Sequence, residues 1–321
     1  MKTRDWYPKT PLEDVDASRL KTISLSQRGG KVSIRQMAHP VRRGSSFKDF
    51  VESLPDTLSA VNFRSVASAI ANARLKGKGV LLGMGAHPVK AGLGRIISSA
   101  IEDGILTGIA TNGAAIIHDY ELALMGWTSE NVDETLGQGS FGMARETADN
   151  LNYAIREGAG SEEGLGRSVG RLIHENGLPH ASGSIFAAAF RNSIPATVHV
   201  ALGTDIIHMH PSCDAAATGK ASMDDFRLFV RQVCALEGGV FINLGSAVLI
   251  PEVFLKACSM AHNLGYSLNE LTTLNMDMIQ HYRPRVNVVQ RPTSSAGQGF
   301  SLTGPHEILF PLLIAAVREN L

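Results

Sequence analysis

The densest run of side chains able to do chemistry is Gly203-Thr204-Asp205-Ile206-Ile207-His208-Met209-His210-Pro211-Ser212-Cys213-Asp214. In an extended segment His208 and His210 face the same side, and Asp214 could join them after a turn. Proton transfer or substrate binding by His208 or His210 fits this set. A divalent metal held by His208, His210 and Asp214 is the alternative, and hydrogen-bonded structural histidines are the plain one. Three glycine-containing segments offer further sites. Gly83-Met84-Gly85-Ala86-His87-Pro88 is a GxG without the third glycine of the dinucleotide fingerprint. Its glycines would let backbone approach a phosphate, or serve only a tight turn, and Pro88 in the first helical turn sacrifices no hydrogen bond. Thr111-Asn112-Gly113 is followed by His118, Asp119 and Glu121, groups suited to a sugar hydroxyl or an amine, or else to a helix N-terminal dipole. Asn243-Leu244-Gly245-Ser246-Ala247 opens a helix carrying Glu252, a general base if burial raises its pKa.

Each segment sits where a strand should end. Gly79-Val80-Leu81-Leu82 is a short continuous apolar run, as a strand buried on both faces requires, and Leu106–Ala110, Ala196–Leu202 and Gly239–Leu244 read as further strands. Helical spacing marks the segment from Asp56 to Gly77, the positions Val89 to Ala100 stopping at Gly104, and Thr147–Glu157, Gly166–Glu175, Met223–Leu236 and Pro251–Leu264. Strand, small-residue turn and helix in alternation predict an α/β fold: a Rossmann-like, doubly wound, mostly parallel sheet with helices on both faces. In such sheets ligands bind outside the carboxyl ends of the strands, so the four turns are expected on one rim. Residues 1–50, broken by Pro8, Pro11, Gly29, Gly30, Pro40 and Gly44, read as an irregular N-terminal arm with one strand at Lys31–Ile34, and residues 51–321 as the domain.

Bulk composition narrows the function classes. With 30 Lys+Arg against 30 Asp+Glu, the chain lacks the general attraction for phosphate backbones that nucleic-acid binders show, so no nucleic-acid partner is expected. Cys213, Cys234 and Cys258 are odd in number and unpaired in spacing, which speaks against a disulfide framework and for a cytoplasmic protein. No run of about 18 apolar residues occurs and Met1–Pro11 is polar, so neither membrane insertion nor secretion is expected. P-loop and HExxH sequences are absent.

From Gly79-Val80-Leu81-Leu82-Gly83, through Gly108-Ile109-Ala110-Thr111-Asn112-Gly113-Ala114, Thr204-Asp205, Asp224-Asp225-Phe226-Arg227-Leu228 and Gly239-Val240-Phe241-Ile242-Asn243-Leu244-Gly245, to Phe310-Pro311-Leu312-Leu313, the chain resembles deoxyhypusine synthase over roughly residues 56–318. The resemblance implies a Rossmann-like fold, a homotetramer, and NAD as cofactor. It places Gly83, Ala86 and His87 on the family's first cofactor turn, Thr111, Asn112 and Gly113 on the second, and Asp205, Gly245 and Asp277 on further cofactor contacts; Gly85 and Ser246 lie in the same turns. The family's reaction does not carry over. Its Lys-His-His stands here as Ile250-Pro251-Glu252, its imine-forming lysine aligns near Gln290-Arg291-Pro292, and no lysine follows Lys256. The acidic residues that hold a polyamine are reduced to Asp277, while Arg283, Arg285 and Arg291 suit an anion. The expectation is an NAD-binding transferase or oxidoreductase acting on a small molecule other than spermidine. His208, His210 and Glu252 are its candidate catalytic residues, and His118, Asp119, Asp214, Arg283 and Arg285 its substrate contacts. A metal-dependent hydrolase or lyase and a non-catalytic ligand-binding relative stand as alternatives.

Overall fold

The computed structural model of the chain describes residues 16–321. Among them six strands, β1 Val80–Met84, β2 Gly108–Asn112, β3 Ala196–His199, β4 Val240–Leu244, β5 Thr272–Asp277 and β6 Gln298–Thr303, make one sheet in the order β3-β2-β1-β4-β5-β6. Every pairing is parallel, with Met84 opposite both Thr111 and Leu244, Asn112 opposite His199, and Asp277 opposite Thr303. All six carboxyl ends therefore share one rim, and the order reverses between β1 and β4, the switch point at which such sheets open a crevice.

Helices α1 Phe47–Ser53 and α2 Leu58–Leu75 precede β1, and α3 His87–Lys90 and α4 Gly94–Glu102 lead to β2. Between β2 and β3 lie α5 Gly113–Met125, α6 Val132–Thr135, α7 Arg145–Ser161, α8 Gly164–Glu175 and α9 Ile185–Arg191. Helix α10 Ala215–Cys234 joins β3 to β4, and α11 Leu249–Asn263 joins β4 to β5. Helix α12 Tyr282–Pro284 and a π-helical turn over Arg285–Gln290 lead to β6, and α13 His306–Glu319 follows it.

Side-chain alternation along the strands assigns the two faces. Val80, Leu82, Met84, Val240, Ile242 and Leu244 point to the side covered by α2, α4, α5, α7, α8, α9 and α13. Leu81 and Phe241 point to the side covered by α10 and α11, where the rings of Phe241 and Phe254 stack at 3.7 Å. Two buried carboxylates fasten helix starts to this frame. Asp225 of α10, fully buried, accepts from Gly166 N at 2.9 Å and Val198 N at 2.7 Å, which ties α8 to β3. Asp119 of α5 accepts from the Ser184 hydroxyl, Ile185 N and Phe186 N, capping α9.

Several sequence expectations need adjustment. No strand forms at Lys31–Ile34; short 3-10 turns occur at Ala17–Arg19, Leu25–Gln27 and Ile34–Gln36, the last closed by a reciprocal Ser33–Gln36 cap. Residues 1–15 of the expected arm lie outside the described residues. The helix expected over Val89–Ala100 is two, because Gly92, at φ +80°, interrupts it. Strand β3 stops at His199 rather than Leu202, and β5 and β6 appear where no strand was expected.

Candidate functional site

Glycine placement shapes the rim at the β1–β4 switch point. Gly85 N donates to Leu244 O at 3.2 Å, and a Cβ at Gly85 would lie 2.6 Å from Gly245 O, so the two strand tips cross with only backbone between them. Gly245 has φ +63°, and a Cβ there would lie 2.5 Å from His306 Cε1. Gly83 is different. It lies inside β1, and an added Cβ would strike Ile250 and the Phe241 ring at 2.6 and 2.7 Å, so its missing side chain serves core packing rather than phosphate approach. Ala86 is half-buried and His87 exposed on the rim behind Gly85, while the Ser246 hydroxyl accepts from Ile250 N and fixes the start of α11.

On the β2 side, Asp205 occupies the position expected for a ligand. Its Oδ2 would lie 2.0 Å from a Cβ on Gly113, which puts the carboxylate at the N-terminus of α5, where an anion is favoured. Burial raises its pKa and the nearby His208 opposes the shift. His208 Nδ1 accepts from Gly203 N and Asp205 N at 3.2 and 3.1 Å, leaving Nε2 buried, 3.9 Å from Asp205 Oδ2 and without a hydrogen bond. That reciprocal cap winds Ile206–Met209 into a 3-10 helix, so the segment is not extended and His208 and His210 do not share a face. His210 turns to Ser212 and to Asp149 of α7, and Asp214 caps α10 through Ala217 N. No group of three His, Cys, Asp or Glu among the described residues is placed to hold a metal ion.

The remaining candidates are already engaged elsewhere. Asp119, 2% exposed, spends its carboxylate on the α9 cap, and burial pushes its pKa up to about 6. It is a structural cap and not a substrate contact. His118 shares Thr128 with Glu121, and its pKa is lowered by burial, with Lys90 adding to the effect. Glu252 is held by Lys256, Arg283 and Asn287, and the Lys256 hydrogen bond above all lowers its pKa, the reverse of what a general base at this position requires. Arg283 is thereby committed to Glu252 and Arg291 to Asn287, while Arg285 is exposed.

A residue the sequence reading missed stands at the centre of the rim. His306 opens α13, is 1% exposed, and has Nε2 3.3 Å from Asp277 Oδ1 and its ring 5.3 Å from that of His87. Burial alone would raise the pKa of Asp277, but the adjacent His306 and the Met278 amide bring it below the usual carboxylate range. Neither His306 nitrogen has a well-aligned hydrogen-bond partner. Asn112 Oδ1 and Asn243 Oδ1 are also buried and unpartnered, although the Asn243 amide donates to Asn275 and to Ser246 O. Unmet buried polar atoms are rare in folded proteins; those of Asn112, His208, Asn243 and His306 lie at the tips of β2 and β4 and in the segments after β3 and β6, while Asn152, Glu163, Asp225, Gln232 and Thr273 carry others away from the rim. Beside the β3 tip a cavity of about 260 Å³ is lined by His199, Leu202, Met223, Phe226, Leu249 and Val253. Burial takes the His199 pKa down to about 3, so its imidazole is a neutral wall of that cavity.

No protein-family model matches the sequence. No curated protein matches it either. Solved structures do share its fold. Unliganded AgrE superposes with a TM-score of 0.53 at 16% identity over 87% of this chain and 34% of AgrE. AgrE in ternary complex with ornithine and NAD+ gives 0.51 at 14% over 80% and 33%. A conserved protein from Methanococcus maripaludis S2 assigned to the LOR/SDH group gives 0.51 at 16% over 82% and 71%. The chain thus spans about a third of the length of AgrE, and the likeness is one of fold. Among the described residues, no helix is long and apolar enough to cross a membrane.

Proposed function

We propose that this chain is an enzyme that binds NAD across the carboxyl rim of its sheet and oxidises or reduces a small molecule other than a polyamine. The observation that carries the reading is the cluster of unpartnered buried atoms on Asn112, His208, Asn243 and His306 along the rim whose strand order reverses at the Gly85–Gly245 crossing. Those atoms fit a ligand bearing several hydroxyl and amide groups, as the two halves of a dinucleotide do. The apolar cavity beside His199 suits its flat base, and the Asn112 amide oxygen suits a ribose hydroxyl. Bound NAD would supply a two-electron acceptor. Asn243 and Ser246 would hold the tip of β4 rigid, and Asp277 would keep its negative charge beside His306 at neutral pH. The NAD+ complex of AgrE, a protein of the same fold, supports the choice of cofactor.

The deoxyhypusine synthase resemblance enters this reading through fold and cofactor alone, since no lysine follows Lys256 to form the family's imine. Assembly as a homotetramer and a cytoplasmic location belong to the same proposal. Titration calorimetry of the purified full chain with NAD+ tests it. We expect saturable binding weakened about tenfold by Asn112→Ala, the scale of one lost hydrogen bond to a buried acceptor. Undetectable binding at millimolar NAD+ would refute it.

A further inference from the structure

Asp277, His306 and His87 come from three elements and meet where β1, β4 and β5 end. Asp277 is the last residue of β5, His306 the first of α13 and His87 the first of α3. Exposure is graded through the trio: Asp277 and His306 are buried and His87 is at the surface. Asp277 Oδ1 is 3.3 Å from His306 Nε2, and the two imidazoles meet edge to face, 62° apart. A buried ring with unmet polar atoms destabilises the fold, a cost that a leucine of similar volume would not carry. Gly245 nevertheless keeps room for this ring, since any Cβ there would collide with it.

We propose that Asp277, His306 and His87 form a two-imidazole proton relay, in which His87 meets the substrate and His306, oriented by Asp277, is the positioning residue that holds the proton behind it. The inference rests on the NAD reading and names the proton-handling part of that site. The substrate class is a small molecule with a carbon bearing a hydroxyl or amino group. Bound NAD+ would supply the two-electron acceptor for the hydride that leaves when that carbon's C–H bond breaks. The O–H or N–H bond breaks with it, its electrons forming the second bond of the product carbonyl or imine. The released proton passes to His87 and on to His306, and the Asp277 carboxylate stabilises the imidazolium formed there. The other titratable group acting on Asp277 is His281, just beyond β5, while Lys90 of α3 and Glu307 of α13, on the relay's own elements, are exposed.

Histidine-labelled full-length protein, followed by long-range 1H–15N NMR from pH 5 to 9, tests the relay without needing the substrate. We expect His87 and His306 to titrate as one coupled pair. His306→Gln should reduce His87 to a single step, and Asp277→Asn should lower its midpoint by removing a negative charge. Coupling is reciprocal, so exposed His87→Gln must change the His306 curve equally and serves even if His306→Gln fails to fold. NAD+ should then move the His87 and His306 signals and leave His262, on the outer end of α11, unmoved. Independent single-step curves in protein that binds NAD+ would overturn the relay alone. Failure to bind NAD+ would take down the cofactor reading and the relay's catalytic role together.

Discussion

Asp225→Asn should flatten the pH dependence of folding stability near neutrality. The carboxyl is fully buried, and burial pushes its pKa up to about 7 from the ordinary 3.8 despite the amides of Gly166 and Val198 that favour the charged form. Between those two values the folded chain keeps a proton that the unfolded chain releases, so stability falls as pH rises from about 4 to about 7 and then levels off. At about 1.4 kcal/mol per pH unit, the group's contribution drops by about 3 kcal/mol between pH 5 and pH 8. Asparagine cannot ionise, yet its carbonyl oxygen can still accept from Gly166 N and Val198 N. Urea unfolding of the wild type and Asp225→Asn at pH 5, 6, 7 and 8 reads the difference directly. Wild-type stability should decline across the series more steeply than the variant's, the residual slope coming partly from Asp119, whose pKa is raised in the same direction. Identical slopes in the two proteins would show that Asp225 is ionised in the fold throughout, and that its helix-start amides outweigh its burial.

Gly245→Ala should destabilise the chain by about 2–4 kcal/mol, combining left-handed backbone strain with the collision against His306, and should weaken NAD+ binding at least tenfold; thermal unfolding and calorimetry check both. Glu252→Gln should lower stability at pH 7 by less than about 1 kcal/mol, because its ion pairs are partly exposed, and leave NAD+ affinity unchanged; a large loss of affinity would return Glu252 to the site.

The strand tips were legible because a parallel strand buried on both faces must be largely apolar, and Val80–Leu82 and Val240–Ile242 are apolar runs that lead within a few residues to a glycine. Strands β5 and β6 were not, since Thr272, Thr273, Asn275, Gln298 and Ser301 dilute their apolar character. Asn275 is polar for a reason visible only in three dimensions: it bridges Asn243 to Gln280 inside the sheet. The histidine pair at 208 and 210 misled because Asp205 and His208 cap each other and wind the segment into a helical turn. His306 had no local signal at all. It follows Gly304-Pro305 as an ordinary helix opening, and only the return of α13 to the β4 and β5 tips brings it beside Asp277. Gly83 shows the converse, a glycine whose position beside a turn suggested a ligand while its neighbour Phe241, far away in sequence, explains it.

The strand order also sets a problem for the growing polypeptide. β1 pairs with β2 and β4, and 155 residues separate the end of β1 from the start of β4. During synthesis, β3, β2 and β1 can assemble into a half-sheet whose inner border, Val80–Met84, is fully apolar and bare until Val240–Leu244 emerges. Such a border can template pairing with another nascent chain. Premature termination or truncation before residue 240 should therefore yield aggregates rather than a smaller folded unit.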